Sequence, residues 1–263
     1  MTDSHSDWSQ TAREMHPGLS PGWMHYTAAL HRTLLRRWAG RLPPGSTVLK
    51  TDLFEEAYGE ACPWLEIEAL GWKAMGMDLG REVAGGASAR FAQPDGSRVF
   101  STDVRHIALA DGSIDAILSN STLDHFETHE EIETALKELY RILKPGGLMI
   151  LTLDNPMNPA IGFRNAIPPS WVKGLRITPF FVGRSLRRGP CVKKLAKIGF
   201  AAIASGTFMH KLRYFAIPAF RRIESKAAQR EMADAMLSKE YLGRLPTGEL
   251  TGHYIWVEAR KPR

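Results

Sequence analysis

The stretch THEEIETALKELYRILKPGGLMILTL, residues 128–153, contains the two clearest elements of secondary structure in the chain. Thr128 and Glu131 have the spacing of a capping box, which predicts that a helix begins there. Apolar residues then recur every three or four positions and predict one buried helix face; they are Ile132, Leu136, Leu139 and Leu143. Pro145-Gly146-Gly147 predicts the end of the helix, and the apolar run at 148–153 predicts a fully buried strand.

The same alternation of strands and helices continues in both directions from this pair. Upstream, strands are predicted at 47–52, 73–78, 97–103 and 113–120, and an apolar spacing of four residues predicts a helix before them. Downstream, we predict a helix near 190–199, a strand near 200–208, one long basic helix over 213–238 and a closing strand at 252–261. The order predicts an α/β fold of the Rossmann-like type, with a doubly wound, mostly parallel, seven-stranded sheet.

Composition narrows the class of protein further. The chain has 263 residues, 44% apolar and 24% charged, which is ordinary for a globular domain. The first residues contain no apolar segment of a secretory signal, and Cys62 and Cys191 have no metal-binding spacing, so we expect a cytoplasmic protein without a cysteine metal site.

The net charge of +6 is unevenly distributed along the chain. Between Arg164 and Lys226 fourteen Lys and Arg residues stand against one acid, Glu224. One interpretation is that this part contacts an anionic substrate, a membrane surface or nucleic acid. The other is that it forms a solvated basic surface that serves only solubility.

Acidic residues end two of the predicted strands, where ligands bind in open α/β sheets. Asp78 ends the second strand and Asp103 the third. Each is also suited to a turn or a helix cap, but together they favour a ligand that contains adenosine. Since neither a GxGxxG nor a GxxxxGK[ST] motif occurs, we expect that ligand to lack phosphates.

Two segments carry a family resemblance: FSTDVRHIALADGSIDAILSNSTLDHF at 100–126 and EIETALKELYRILKPGGLMILTLDNP at 131–156. Over residues 45–154 the chain resembles the class I S-adenosylmethionine-dependent methyltransferases that act on small molecules. The resemblance implies S-adenosylmethionine as cofactor, with the ribose on the acid after strand two and the adenine on the residues after strand three. The cofactor-binding residues that it implies in these strand ends are Asp78, Leu79, Asp103, Val104, Asn120 and Ser121.

The loop after the first strand departs from the family pattern. Lys50 stands where the family usually has an acid, and Asp52 and Phe54 stand where it usually has glycines. In one interpretation the pocket is rebuilt, so that Thr51 lines it and Asp52, Glu55 or Glu56 pairs with the cofactor ammonium. In the other, the loop is closed and the protein keeps only the fold, as a binding or scaffold protein.

His125, beside Asp124, is the candidate base for removing a proton from an acceptor hydroxyl.

Residues 155–185 mix aromatic and basic side chains, and in the resembling family inserts at this place usually cover the substrate. We therefore expect a helical cap over 1–44, a methyltransferase domain over 45–263 with 155–185 as lid, and no metal. We expect O-methylation of a small or lipid-like acceptor, for which an anionic group is one option. Scaffolding and RNA methylation are the alternatives, with nucleic acid disfavoured and membrane contact at most peripheral.

Overall fold

The structure of the chain, a computed structural model, describes residues 9–13, 20–91, 98–167, 183–210 and 213–263. Its centre is a seven-stranded sheet with the order β3-β2-β1-β4-β5-β7-β6. The strands are β1 Thr47–Lys50, β2 Lys73–Asp78, β3 Val99–Ser101, β4 Ile114–Asn120, β5 Leu143–Asp154, β6 Ala201–Phe208 and β7 Tyr254–Arg260. The first five strands are parallel, whereas β7 is antiparallel to both β5 and β6. The predicted fold class, a mostly parallel sheet of seven strands, is confirmed.

Helices surround the sheet. They are α1 Pro21–Leu35, α2 Phe54–Tyr58, α3 Pro63–Ala69, α4 Arg81–Phe91, α5 His129–Ile142, α6 Pro159–Ala166, α7 Arg188–Ile198, α8 Arg213–Arg221, α9 Lys226–Leu237 and α10 Gly248–Thr251. A further helical stretch covers 9–13. The described residues contain no helix that is long and apolar enough to span a bilayer.

The capping box at the start of α5 forms as its spacing predicts. The Thr128 hydroxyl accepts a hydrogen bond from the Glu131 amide at 3.2 Å, and the Glu131 carboxylate accepts one from the Thr128 amide at 3.0 Å. These bonds satisfy backbone donors that the first helical turn cannot pair internally. The helix is therefore fixed at its first residue and lays its predicted apolar face on the sheet.

The sheet separates two apolar layers because neighbouring residues of a strand point to opposite faces. Val48 of β1 lies in the layer that contains α1, α3, Trp38 and Trp64. The next residue, Leu49, lies in the layer that contains α5 and α7. Both faces of the central strands are thus covered, as in a doubly wound fold.

Two boundaries differ from the sequence predictions. β5 begins at Leu143, before the Pro-Gly-Gly segment, because Leu143 pairs with Ile114 across a register shift. The single basic helix predicted over 213–238 is wrong: it consists of α8 and α9, which are separated by residues 222–225. Ser225 caps the second helix by accepting from the Ala228 amide, so a new helix starts there.

Helix α1 is clamped onto the C-terminal part of the chain. The Gly22 amide donates to the Gln229 side chain at 2.8 Å, and a Cβ atom at Gly22 would lie 2.7 Å from both Gln229 and Phe220. Only glycine permits this close approach of α1 to α8 and α9. The approach holds α1 over the carboxyl ends of the strands, where it forms one wall of the site described next.

Candidate active site

A cavity of about 200 Å³ lies at the carboxyl ends of β1, β2, β4 and β5, beneath α1. It includes the point where the strand order reverses between β1 and β4, the usual ligand position in open α/β sheets. Its lining residues are Thr11, Ala12, Trp23, Met24, Thr27, His31, Asp52, Phe54, Glu55, Asp78, Val83, Asn120, Ser121, His125, Thr152, Asp154, Phe208, Met209 and Tyr254.

Backbone strain is concentrated at this cavity. In the described part of the chain, only two residues other than glycine have a positive φ: Ser121 at 46° and Met209 at 60°. Both line the cavity. Such conformations are unfavourable for residues with a Cβ atom and persist mainly at functional sites, so the strain supports a ligand-binding role for the cavity.

The unusual loop after β1 is organised by a buried ion pair. The Lys50 ammonium lies 2.8 Å from the Glu56 carboxylate, and both side chains are fully buried. Lys50 also donates to the Asp52 carbonyl, and Glu56 accepts from the Trp64 amide at 3.2 Å. Burial would lower the pKa of Lys50, but the surrounding carboxylates outweigh it and raise that pKa, so Lys50 stays charged. The buried lysine thus neutralises part of the negative charge of the loop acids.

Glu55 has a different partner. Its carboxylate lies 3.0 Å from the His31 Nδ1 of α1. Burial acts to raise the pKa of Glu55, but the imidazole charge and hydrogen bond of His31 outweigh it, and the pKa falls to about 2. Of the three loop acids, Asp52 is the most exposed, at 37%; it lines the cavity, and its salt bridge with Lys50 is the longest of the three, at 3.6 Å.

Asp78 reaches the cavity from the end of β2. Its two carboxylate oxygens accept from the backbone amides of Leu53, at 3.0 Å, and Gly80, at 2.7 Å. Burial first, and the Asp52 charge second, raise the pKa of Asp78 to about 7. A ligand hydroxyl that donated to this carboxylate would favour its ionised form.

The Asn120 side chain at the end of β4 is buried, and neither its amide nitrogen nor its oxygen has a hydrogen-bond partner in the structure. Unpaired buried polar atoms are rare because each costs on the order of 1–3 kcal/mol. Asn120 also lines the cavity. Its free donor and acceptor therefore mark a place for polar groups of a ligand.

The predicted pair of His125 and Asp124 is not a hydrogen-bonded one. The His125 Nε2 and the nearest Asp124 oxygen are 3.9 Å apart. The other Asp124 oxygen accepts from the Ser121 hydroxyl at 2.8 Å and the Asp154 amide at 2.7 Å. Asp124 thus joins the ends of β4 and β5, and burial and the Asp154 charge raise its pKa. His125 lines the cavity, and its catalytic role stays a prediction.

The structure brings six of the predicted site residues to the cavity: Asp52, Glu55, Asp78, Asn120, Ser121 and His125. The others are not among its lining residues. The Thr51 hydroxyl bonds to those of Ser119 and Thr122 beneath the loop. Asp103 forms a salt bridge with Arg105 at 2.6 Å, Val104 is buried, and the Leu79 carbonyl accepts from Ser101. The adenine-binding role of Asp103 and Val104 stays a prediction.

The described part of the basic region does not place a cation in this cavity. Arg164 forms a buried salt bridge with Asp154 at 2.6 Å, and Lys194 pairs with Glu133 on the surface at 2.7 Å. Within the described ranges, no Lys or Arg lines the cavity. Most of the aromatic and basic residues of the predicted lid, including Trp171 and Arg176, lie outside the described residues. The described residues also contain no cluster of His, Cys, Asp and Glu that could hold a metal ion.

The sequence analysis missed three groups of cavity residues. Trp23, Thr27 and His31 recur every fourth position, so they share the face of α1 that meets the cavity. Phe208 and Tyr254 pair across β6 and β7, and their rings stack with centroids 5.4 Å apart. Asp154 follows the same strand-end rule as Asp78, and that rule alone was enough to find it.

Comparison with known proteins identifies a domain within the chain. Residues 57–151, from the end of α2 through β5, match the model of a methyltransferase domain. No curated protein matches the chain in sequence.

Among solved structures, a SAM-dependent methyltransferase from Archaeoglobus fulgidus is 15% identical. Its TM-score is 0.56, over 89% of this chain and 94% of that one. A Haemonchus contortus phosphoethanolamine N-methyltransferase 2 in complex with S-adenosyl-L-methionine is 17% identical, with a TM-score of 0.57. That match covers 88% of this chain and 52% of the other. At these identities the two structures establish the fold, and the family match establishes the domain. Residues 57–151 therefore match a methyltransferase domain, and the chain has the fold of the class I S-adenosylmethionine-dependent methyltransferases.

Proposed function

We propose that this protein transfers the methyl group of S-adenosylmethionine to a small-molecule acceptor in the cavity beneath α1. The observation that carries the proposal is the unpaired, buried amide of Asn120, a residue that lines the same cavity as Asp52 and Asp78. Polar groups of this kind at the strand ends suit a ligand that has hydroxyl and ammonium donors.

The residues present fit the cofactor. Asp78 would accept hydrogen bonds from the ribose hydroxyls, and Asp52, the most exposed of the loop acids, would pair with the ammonium of the methionine part. The Asn120 amide would form hydrogen bonds with polar groups of the cofactor that lie between the ribose and the ammonium. When bound, the cofactor supplies a methyl group activated by the positive sulfonium next to it.

In this loop, side chains would bind the part of the cofactor that glycine-rich loops bind through their backbone. Lys50 neutralises Glu56 below the loop and His31 pairs with Glu55 beside it. Asp52 is then the loop acid available to bind the cofactor ammonium in the cavity. This division of the three acids favours the rebuilt pocket over the closed loop of a scaffold protein.

The protein contributes position more than chemistry, since methyl transfer is an in-line displacement. α1, with the 9–13 stretch, and the ends of β6 and β7 enclose the acceptor end of the cavity. Residues 155–185 are the proposed lid. A small molecule is the acceptor class that a cavity of about 200 Å³ favours over nucleic acid.

Calorimetric titration with S-adenosylmethionine tests this function. The unchanged protein is expected to bind, and Asp78→Ala is expected to lose at least about tenfold in affinity, the equivalent of about 1.4 kcal/mol. Asp111→Ala is the matched control, because Asp111 is a surface acid outside the cavity. A folded protein that binds no cofactor would refute the methyltransferase function and leave the scaffold role.

A second assay tests turnover. The protein is incubated with S-adenosylmethionine and a small-molecule extract, and S-adenosylhomocysteine formation is followed by mass spectrometry. We expect formation that depends on the extract. Cofactor binding without any turnover on small molecules would contradict the acceptor class and favour the RNA alternative.

A further inference from the structure

The chain leaves β4 through a strained corner in the wall of the cavity. Ser121 follows β4 directly and has a φ of 46°, a left-handed conformation that is unfavourable for a residue with a Cβ atom. Its neighbour Asn120 is the last residue of β4 and carries the buried amide without a hydrogen-bond partner. Both residues line the cavity. A change in the φ of Ser121 would therefore alter how this part of the wall meets a ligand.

Hydrogen bonds to two residues hold Ser121 in this conformation. Its amide donates to the carbonyl and to the hydroxyl of Thr152 in β5, at 3.1 and 3.0 Å. Its hydroxyl donates to the Asp124 carboxylate at 2.8 Å. Strain of this kind persists only where the surrounding structure holds it, so both partners are needed to keep the corner as it is.

Asp124 is itself firmly anchored. The oxygen that accepts from Ser121, Oδ2, also accepts from the Asp154 amide at 2.7 Å, and the Asp124 carbonyl accepts from the Gly183 amide at 3.0 Å. The other carboxylate oxygen is buried and has no hydrogen-bond partner, an arrangement that lowers the stability of a fold. Hydrogen bonds to a charged carboxylate are roughly twice as strong as those between neutral groups. We therefore attribute the carboxylate to the strong bonds that it forms with the corner.

The other strained residue of the cavity is held in the same way. Met209 has a φ of 60° and lines the cavity. Its amide donates to the Glu240 carboxylate at 2.8 Å, and the Tyr26 hydroxyl of α1 donates to the same carboxylate at 2.7 Å. Neither Asp124 nor Glu240 is among the described lining residues. Each of these two carboxylates thus holds one strained residue of the wall from outside the lining.

We infer that Asp124 is a positioning residue of the cofactor site, which acts by holding Ser121 in its left-handed conformation and so keeps the Asn120 amide in place in the cavity wall. The inference rests on the methyltransferase function proposed above. In this role Asp124 contacts neither the cofactor nor the acceptor. Without its carboxylate, Ser121 is expected to relax to a negative φ. The fraction of molecules in the binding conformation then falls, and the apparent affinity for the cofactor falls with it.

Crystal structures of ligand-free Asp124→Asn and Asp124→Ala test the effect on the backbone. One carboxylate oxygen accepts both side-chain bonds, so the carboxamide oxygen of the Asn variant can accept both as well. We expect Ser121 to keep a φ near 46° in Asp124→Asn and to take a negative φ in Asp124→Ala. A positive φ of Ser121 in Asp124→Ala would overturn the inference.

Calorimetric titration with S-adenosylhomocysteine measures the consequence for binding. We expect Asp124→Ala to bind at least about tenfold more weakly than the unchanged protein, and Asp124→Asn to bind within about threefold of it. Asp111→Ala is the surface control and is expected to keep the affinity. Equal losses in the Asn and Ala variants would contradict the inference. Failure of the unchanged protein to bind would instead refute the proposed function, while the φ of Ser121 in the two crystal structures would still decide what holds the corner.

A double variant tests whether Asp124 acts through Ser121. Ser121→Ala removes the hydroxyl but keeps the Cβ atom, and we expect it to bind S-adenosylhomocysteine at least about fivefold more weakly. The double variant Asp124→Ala/Ser121→Ala is expected to bind within about twofold of Asp124→Ala, because both changes break the same bond. Ser113→Ala is the matched control, since that hydroxyl bonds only to the Ala110 carbonyl of a turn. Unchanged affinity in Ser121→Ala, or losses that multiply in the double variant, would show that Asp124 serves only the fold.

Discussion

Replacing Lys50 by Met tests whether the buried ion pair replaces the usual glycine loop. Lys50 and Glu56 are both fully buried and lie 2.8 Å apart. In Lys50→Met the Glu56 carboxylate would keep only its hydrogen bond from the Trp64 amide. Removing one partner of a buried pair leaves an uncompensated charge and costs about 3–5 kcal/mol. We expect a loss of that size in the free energy of unfolding, measured by urea titration near neutral pH.

The double variant Lys50→Met/Glu56→Gln separates the pair from other effects. Glutamine keeps an acceptor for the Trp64 amide but has no charge, so the double variant is expected to be more stable than Lys50→Met alone by at least about 2 kcal/mol. A Lys50→Met variant within about 1 kcal/mol of the unchanged protein would refute the reasoning. So would a double variant that is no more stable than the single one.

Three further outcomes follow from the site and the fold. The pKa of Asp78 is raised to about 7, so without ligand its contribution to the free energy of unfolding is greatest below pH about 4 and declines as the pH rises through 7. Cofactor binding needs the ionised carboxylate, so the affinity is expected to increase between about pH 6 and about pH 8. Binding in this range is expected to release a proton. Titrations in two buffers of different ionisation heat measure that proton, and an affinity that stays constant over this range would contradict the ribose role. Asn120→Ala removes an amide that has no partner in the structure, so we expect unchanged or increased stability in urea and at least about tenfold weaker cofactor or acceptor binding, the opposite pattern from that of a structural residue. Thr128→Ala removes the cap of α5 and is expected to lower stability by about 1 kcal/mol while cofactor affinity is unchanged, and a loss of affinity there would mean that the cap also shapes the site.

Local patterns in the sequence were sufficient to predict most of the sheet. The capping box and apolar spacing of α5 gave its start and its buried face, because both depend on residues within two helical turns. The antiparallel direction of β7 was not predicted. It depends on which edge of the sheet the last strand joins, and that is decided by tertiary contacts with β5 and β6. The division of the basic helix into α8 and α9 was missed although Ser225 has the character of a cap.

The site residues, too, were predictable where a local rule applied and not where tertiary contacts decide. The rule that ligands meet the carboxyl ends of parallel strands located Asp52, Asp78, Asn120 and Ser121. The partners of the loop acids were not predicted, since they come from separate elements: His31 from α1 and Lys50 from within β1. The complete burial of Lys50 depends on tertiary packing, which a local sequence pattern does not show.

A crystal structure with S-adenosylhomocysteine tests the central claim most directly. The account predicts the ligand in the cavity beneath α1, with the ribose hydroxyls on Asp78, the ammonium within about 3 Å of the Asp52 carboxylate and the Asn120 amide paired. Such a structure would show that side-chain carboxylates have replaced the usual glycine loop. A ligand bound away from Asp52, or held there with its ammonium in solvent and Asn120 still unpaired, would contradict the account.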